Sequence, residues 1–306
     1  MATLFPRFER EDTVYKTLNG TPFSTAVLVP KTLKSVQKTC PLLVHFHGGG
    51  LFMGTNLEPR FLSLWPLELA EAKNAIIVSP TYRLIPEATG SDILDDLRDF
   101  WEWTRQSLST FVAEKWPGLI LDLARTAVSG ESAGGYLALQ SGFLFPSADI
   151  KVVMGQYCAI YPDIKWRPGP AEGAVEANEL IEAYLAQIKP GDIRLTSPFP
   201  ERMDLGDAMR QSGRYNEWIG EDERLRLDYC LRTAKLIPPI WIMQGTEDSR
   251  VPKESTDTMV ARIHESRPEA EVLYSVQPGE HGFDMYHRLD EPYIAEGIEM
   301  VTKYWP

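Results

Sequence analysis

The stretch that decides the fold is "RTAVSGESAGGYLALQSGFLF", residues 125–145. Its first residues read as a short buried strand and its last ten as an apolar helix. Between them stands G-x-S-x-G, at Gly130, Ser132 and Gly134. Alone the pattern is weak, but a strand before it and a helix after it make it a tight elbow. Such an elbow lifts a serine hydroxyl clear of a sheet. The small residues Gly130, Ala133, Gly134 and Gly135 let so sharp a turn pack against its neighbours.

Working outward, the chain alternates apolar runs with helix-like segments. "TPFSTAVLVP", "PLLVHFH", "NAIIVSPTYRL", "IKVVMGQYCAIYP", "PPIWIMQG" and "EVLYSVQPG" read as strands, with strand-like residues beginning near Thr13. "SDILDDLRDFWEWTRQSL" is amphipathic, and a last helix is expected from about residue 286 to 304. Apolar strands separated by helices predict an α/β fold: a mostly parallel sheet covered by helices on both faces. Residues 165–232 break the rhythm with a polar, helix-rich run that includes Trp166, Tyr184, Tyr215, Trp218 and Tyr229. Lying between two buried strands, they are expected to be a helical cap inserted before the acid-bearing strand, over a core of residues 1–164 and 233–306. Binding loops of open α/β sheets gather at the carboxyl ends of strands, where this insertion starts.

Composition narrows the possibilities. A hydrophobic fraction of 43% and a charged fraction of 24% over 306 residues suit a soluble globular chain with a sizeable core. A net charge of -12 opposes binding to nucleic acid or to an anionic membrane. No apolar run approaches a membrane span, and the N-terminus lacks a signal-peptide core, so a cytoplasmic protein is expected. Cys40, Cys158 and Cys230 are too scattered for a disulfide framework or a zinc cluster and are expected to be reduced, mostly buried thiols.

A serine hydroxyl needs a base to become a nucleophile. Of the five histidines, His281 stands in the glycine-flanked loop "QPGEHGF" directly after the last apolar strand. His264 and His287 lie in surface-patterned stretches, and His45 lies inside a strand, where a satisfied core histidine is expected. His281 is therefore the candidate base. The imidazole in turn needs an acid to set its tautomer. "WIMQGTEDSRVP" releases Glu247 and Asp248 from the end of a buried strand, and Asp248 is preferred, with Glu247 as the lesser candidate. The chain order Ser132, Asp248, His281 is the order expected of an α/β-hydrolase.

The run "HFHGGGLFMG", residues 45–54, could cradle a phosphate, carry a metal or aim backbone N–H groups at a developing negative charge. It lacks the lysine of a phosphate loop, and no second histidine pair follows His45 and His47, so a metal is not expected. Glycines after the strand that precedes the elbow suit an oxyanion hole, with the amides of Gly49, Gly50 and Ala133 as donors.

Taken together, "HGGG" at 47–50, "YRLIPE" at 82–87, "GESAGG" at 130–135, the acid loop at 245–252 and "HGF" at 281–283 resemble the hormone-sensitive-lipase-like carboxylesterases of the α/β-hydrolase fold. The resemblance implies Ser132 as nucleophile, Asp248 as orienting acid and His281 as general base, with His47 and "YRLIPE" as structural supports. It implies a serine hydrolase acting on carboxylic esters of small to medium, largely apolar substrates, with no cofactor. Three features depart from the family pattern: Glu131 stands where Asp is more usual, the acid loop has no D-P-L, and the N-terminal cap is short, with strand-like residues beginning near Thr13. Phe52, Met53 and, from the insertion, Trp218 are expected to line the substrate site. The same site on a natural-product intermediate could serve acyl transfer, lactonisation or dehydration. A plant hormone receptor similar to this family has lost the catalytic histidine; His281 and its partners argue against such a role here. A homodimer is left open by the sequence.

Overall fold

The computed structural model of the chain describes residues 5–33, 38–161 and 174–306. The start of the 165–232 insertion, with Trp166, lies outside the described residues.

The sheet is built from β1 (Phe8–Leu18), β2 (Thr21–Pro30), β3 (Lys38–Phe46), β4 (Ile76–Pro80), β5 (Leu119–Glu131), β6 (Ile150–Gln156), β7 (Ile240–Gly245) and β8 (Val272–Gln277). Its spatial order is β1-β2-β4-β3-β5-β6-β7-β8. β2 runs antiparallel to both β1 and β4, and the pairs from β4 through β8 are parallel. β1 begins earlier than the Thr13 read from the sequence. Its first residues, Phe8 to Asp12, alternate weakly because it is an edge strand whose charged side chains face solvent. Asn19 and Gly20, both with positive φ, turn β1 into β2.

Side-chain alternation explains the layers. Along β3, Leu42, Val44 and Phe46 enter one apolar cluster, whereas Leu43 enters the other. α2 (Gly90–Trp103), α4 (Ala133–Leu144) and α9 (Lys253–Ser266) cover the first face with residues such as Leu97, Leu137 and Ile263. α1 (Leu64–Lys73) and α10 (Pro292–Tyr304) cover the second with Trp65, Ile294 and Val301. α3 (Ser109–Lys115) continues α2 through a π-helical turn at residues 104–108. α10 starts at Pro292 rather than near residue 286. Proline fits the first helical turn, and the preceding loop is drawn inward by the fully buried Asp284.

Between β6 and β7 lie α5 (Ala174–Leu185), α6 (Met203–Gln211), α7 (Tyr215–Ile219) and α8 (Leu227–Thr233). Polar contacts tie this stretch to the rest. Gly54 and Ser197 exchange backbone hydrogen bonds of 2.6 and 2.8 Å. Glu87 of "YRLIPE" accepts from Tyr184 at 2.6 Å, Arg194 at 3.1 Å and the buried Arg202 at 2.9 Å. All three cysteines are buried and free. Among the described residues no helix is long and apolar enough to cross a membrane.

Candidate active site

Ser132 sits between the end of β5 and the start of α4, with φ 55° and ψ -115°. That conformation is strained for a residue with a side chain, and surrounding contacts must impose it. Its N–H donates to the Gln156 carbonyl at 2.8 Å, and its carbonyl accepts from Ala159 at 3.0 Å, so the end of β6 and the segment after it clamp the elbow. The glycines are sterically required. A Cβ on Gly130 would stand 2.8 Å from the Phe46 carbonyl oxygen, and one on Gly134 would stand 2.7 Å from the His47 carbonyl oxygen.

The side chains of Asp248 and His281 meet. His281 Nδ1 lies 2.8 Å from Asp248 Oδ2, and the Asp248 side chain is fully buried. A carboxylate only accepts, so Nδ1 carries the hydrogen and Nε2 is left as a base. Asp248 Oδ1 accepts from the amides of Arg250 at 2.9 Å and Val251 at 2.8 Å, and Gln244 donates to Oδ2 at 3.2 Å. This is the physical use of the "DSRV" turn: it saturates the carboxylate and aims one oxygen at the imidazole. Glu247 is exposed and accepts from the Thr246 hydroxyl and the Gly279 amide. It fastens the loop carrying His281 and does not touch the imidazole.

The glycine loop takes positive φ, 99° at Gly49 and 63° at Gly50. Among the described residues, the amides of Gly49, Gly50 and Ala133 donate to no protein acceptor. His47 supports the loop from beneath. It is fully buried, stacks on Tyr82 with ring centroids 4.3 Å apart, and donates from Nδ1 to its neighbour's carbonyl, Gly48 O, at 2.8 Å. Burial pushes its pKa down to about 3, so the ring is neutral. The Tyr82 hydroxyl donates to the His47 carbonyl at 2.7 Å. Arg83, next in "YRLIPE", anchors α2 through Asp92 and Asp96.

Beneath the elbow lies a buried polar layer. His45 Nε2 is 2.7 Å from Glu131 Oε2, which explains both the core histidine and the acid beside the nucleophile. Burial pushes the Glu131 carboxyl up, and the adjacent His45 opposes that shift. Asp284 Oδ2 accepts from Gln156 at 2.6 Å, Trp65 at 2.9 Å and Ser63 at 3.2 Å. Tyr157, with φ 38°, packs its ring edge-on to His281 at 4.5 Å. His264 is exposed, whereas His287 is half-buried and bonded to the Tyr293 hydroxyl at 2.8 Å.

Ser132, His281 and Gly48 to Gly50 line one cavity of about 390 Å³. Phe52 and Met53 also line it. Trp218 does not: its ring lies under the Arg214 guanidinium at 5.5 Å, against the core. Tyr215, earlier on α7, takes that place, and its hydroxyl donates to the Gly50 carbonyl. Tyr157, Tyr161 and Met203 also line the cavity without having been singled out. "YCAIYP" looked like the tail of a strand, and only the register of β6 beside β5 turns it toward the serine.

The sheet order, the serine elbow after β5 and the acid and histidine loops after β7 and β8 define an α/β hydrolase. The chain belongs to the alpha/beta hydrolase fold family, matched over residues 43–283. It is 33% identical to a probable carboxylesterase of Phoma sp., over 98% of each chain. It is 36% identical to a probable carboxylesterase of Cochliobolus lunatus over 58% of this chain and 86% of that one. A similar solved structure comes from work on two fungal esterases of Rhizomucor miehei. Its TM-score is 0.62 at 18% identity, covering 98% of this chain and 85% of the other.

Proposed function

We propose that the protein is a serine hydrolase that cleaves carboxylic esters through an acyl-enzyme. The observation that carries this reading is the convergence of Ser132 and the Asp248-paired His281 on one cavity, beside glycine amides with no protein acceptor among the described residues. The relatives named as probable carboxylesterases support it.

Ser132 Oγ attacks the ester carbonyl while His281 Nε2 takes its proton. Asp248 holds the other ring nitrogen and stabilises the imidazolium. The new oxyanion accepts hydrogen bonds from Gly49, Gly50 and Ala133. Collapse expels the alcohol, which leaves with the proton from Nε2. Water then attacks the acyl-Ser132 with the same base, and the acid is released. Residues 165–232 act as the cap: Met203 of α6 and Tyr215 of α7 line the cavity that holds the serine, beside Tyr161 of the core. A volume of about 390 Å³ with Phe52, Met53 and Phe61 on its wall suits a small to medium, largely apolar ester.

The test is a chain-length series of para-nitrophenyl esters, with intact-mass detection of the acyl-enzyme. Wild-type protein should gain the acyl mass on Ser132, and Ser132→Ala should lose turnover by roughly 10⁴–10⁶ while unfolding at the same temperature. Near-full activity in Ser132→Ala, or a fluorophosphonate label on another residue, refutes the assignment.

A further inference from the structure

We infer that the ester this enzyme is built for carries a carboxylate, held by a guanidinium group at the cavity wall; the inference rests on the esterase reading and specifies its substrate. The cavity that contains Ser132 is lined by three arginines, Arg60, Arg210 and Arg250. This is unexpected in a chain of net charge -12. The question is whether the protein already neutralises them.

The carboxylates on the same wall are each occupied. Glu131 faces inward to His45 Nε2 and the Ser63 amide. Glu280 accepts from the amides of Ser249 at 2.9 Å and His281 at 3.3 Å. Asp207 uses one oxygen, Oδ1, for both Arg250 at 2.7 Å and Arg210 at 3.0 Å. One carboxylate oxygen thus serves two cations, each through a single nitrogen. The remaining N–H groups of Arg210 and Arg250 have no protein acceptor among the described residues.

Arg60 is less satisfied still. Its guanidinium carbon lies 4.6 Å from the centre of the Phe199 ring, and it has no carboxylate partner among the described residues. A guanidinium held over an aromatic face keeps its N–H donors available to another acceptor. Those donors match the two oxygens of a carboxylate. The cavity therefore combines an apolar wall near the serine with surplus guanidinium donors. That pairing suits an ester whose acyl or alcohol half ends in a carboxylate.

The experiment compares kcat/KM for pairs of esters that differ only in this charge. Mono-para-nitrophenyl adipate against para-nitrophenyl hexanoate places the carboxylate on the acyl half. 3-Carboxyphenyl hexanoate against phenyl hexanoate places it on the alcohol half. In one of the two pairs wild-type enzyme should favour the charged ester by about tenfold, the scale of a charge-assisted hydrogen bond. The preference should weaken as salt is raised, since the wall is open to solvent. Arg60→Gln and Arg210→Gln should each reduce the charged-to-neutral ratio several-fold through KM, and Arg60→Lys should retain part of it. The neutral ester, measured on the same preparation, reports an intact triad. A wild-type preference for the neutral ester in both pairs overturns the inference and leaves the esterase reading standing. So does a ratio unmoved in both glutamine variants. Turnover of none of the four esters overturns the esterase reading and this inference with it.

Discussion

Replacing Gly49 by alanine tests the oxyanion loop most directly, because two separate features of the structure oppose a side chain there. At φ 99° Gly49 lies beyond the narrow left-handed well open to L-residues, and holding alanine there costs on the order of 1–3 kcal/mol. The added Cβ would also land on the Met53 carbonyl and 3.1 Å from the Phe61 ring. That carbonyl belongs to the turn in which the amides of Phe52 and Met53 donate to Gly49 O at 3.2 and 3.0 Å. The clash is with backbone, so relief requires the turn itself to open. An oxyanion donor works over a range of only about 2.7–3.1 Å, and a shift approaching an ångström removes it. Gly49→Ala should therefore lower kcat by roughly 10²–10³, the effect of one lost donor. KM should change far less, because the oxyanion exists only in the transition state. Gly50→Ala offers an internal comparison. There the Cβ would meet the Phe52 ring and, at 2.9 Å, the Tyr215 hydroxyl, which are side-chain atoms and not backbone. Its loss should be nearer tenfold, on the same scale of donor displacement. The assay is steady-state hydrolysis of para-nitrophenyl butyrate, with a thermal melt to show that each variant is folded. A folded Gly49→Ala enzyme with wild-type kcat refutes the reasoning, as does Gly50→Ala proving the more damaging of the two.

Three further outcomes follow from the same geometry. In Asp248→Asn, the Arg250 and Val251 amides hold the remaining oxygen, which turns the new NH₂ group toward His281 and favours the wrong tautomer. Its turnover should fall by about 10³–10⁴, whereas Glu247→Gln should be mild; a reversed order of severity means the wrong acid has been named. Tyr215→Phe removes the donor to the Gly50 carbonyl and should reduce kcat roughly fivefold, the worth of about 1 kcal/mol of hydrogen bonding. A change confined to KM would show that Tyr215 only touches substrate. His47 has a folded-state pKa of about 3, below the unfolded value near 6.5, so the unfolded chain takes up a proton that the folded chain refuses. Stability linked to His47 is full above pH 6.5 and falls as pH drops toward 3, by about 1.4 kcal/mol per unit. The unfolding free-energy gap between wild type and His47→Gln should narrow by about 2 kcal/mol from pH 6.5 to pH 4.5 in urea titrations. A constant gap would mean that the folded protein accommodates the charged ring.

The elbow, the acid loop, the histidine loop and the glycine run were legible because each depends on local backbone chemistry. Gly130 and Gly134 are demanded by carbonyls that press on the turn, and Asp248 is aimed by amides two and three residues ahead of it. Strand polarity and chain order then bring Ser132 and the two loops to one end of the sheet. The first five residues of the edge strand β1 are not legible in the sequence, because charges on its solvent face blur the alternation that marks a strand. The cavity wall followed a different logic. Tyr215 lines it and Trp218 does not, although both are aromatic residues of the same short helix, because the choice depends on how α7 seats against Phe52, Tyr161 and Gly50. Asp284 is drawn under the elbow by Trp65 and Gln156, which lie 219 and 128 residues away in the chain. Arg60, Arg210 and Arg250 come to one cavity from three separate segments, and their surplus donors exist only once those segments are packed. Short-range sterics and turn hydrogen bonds leave a signature in neighbouring letters; contacts between distant segments are settled by packing, which no local pattern encodes.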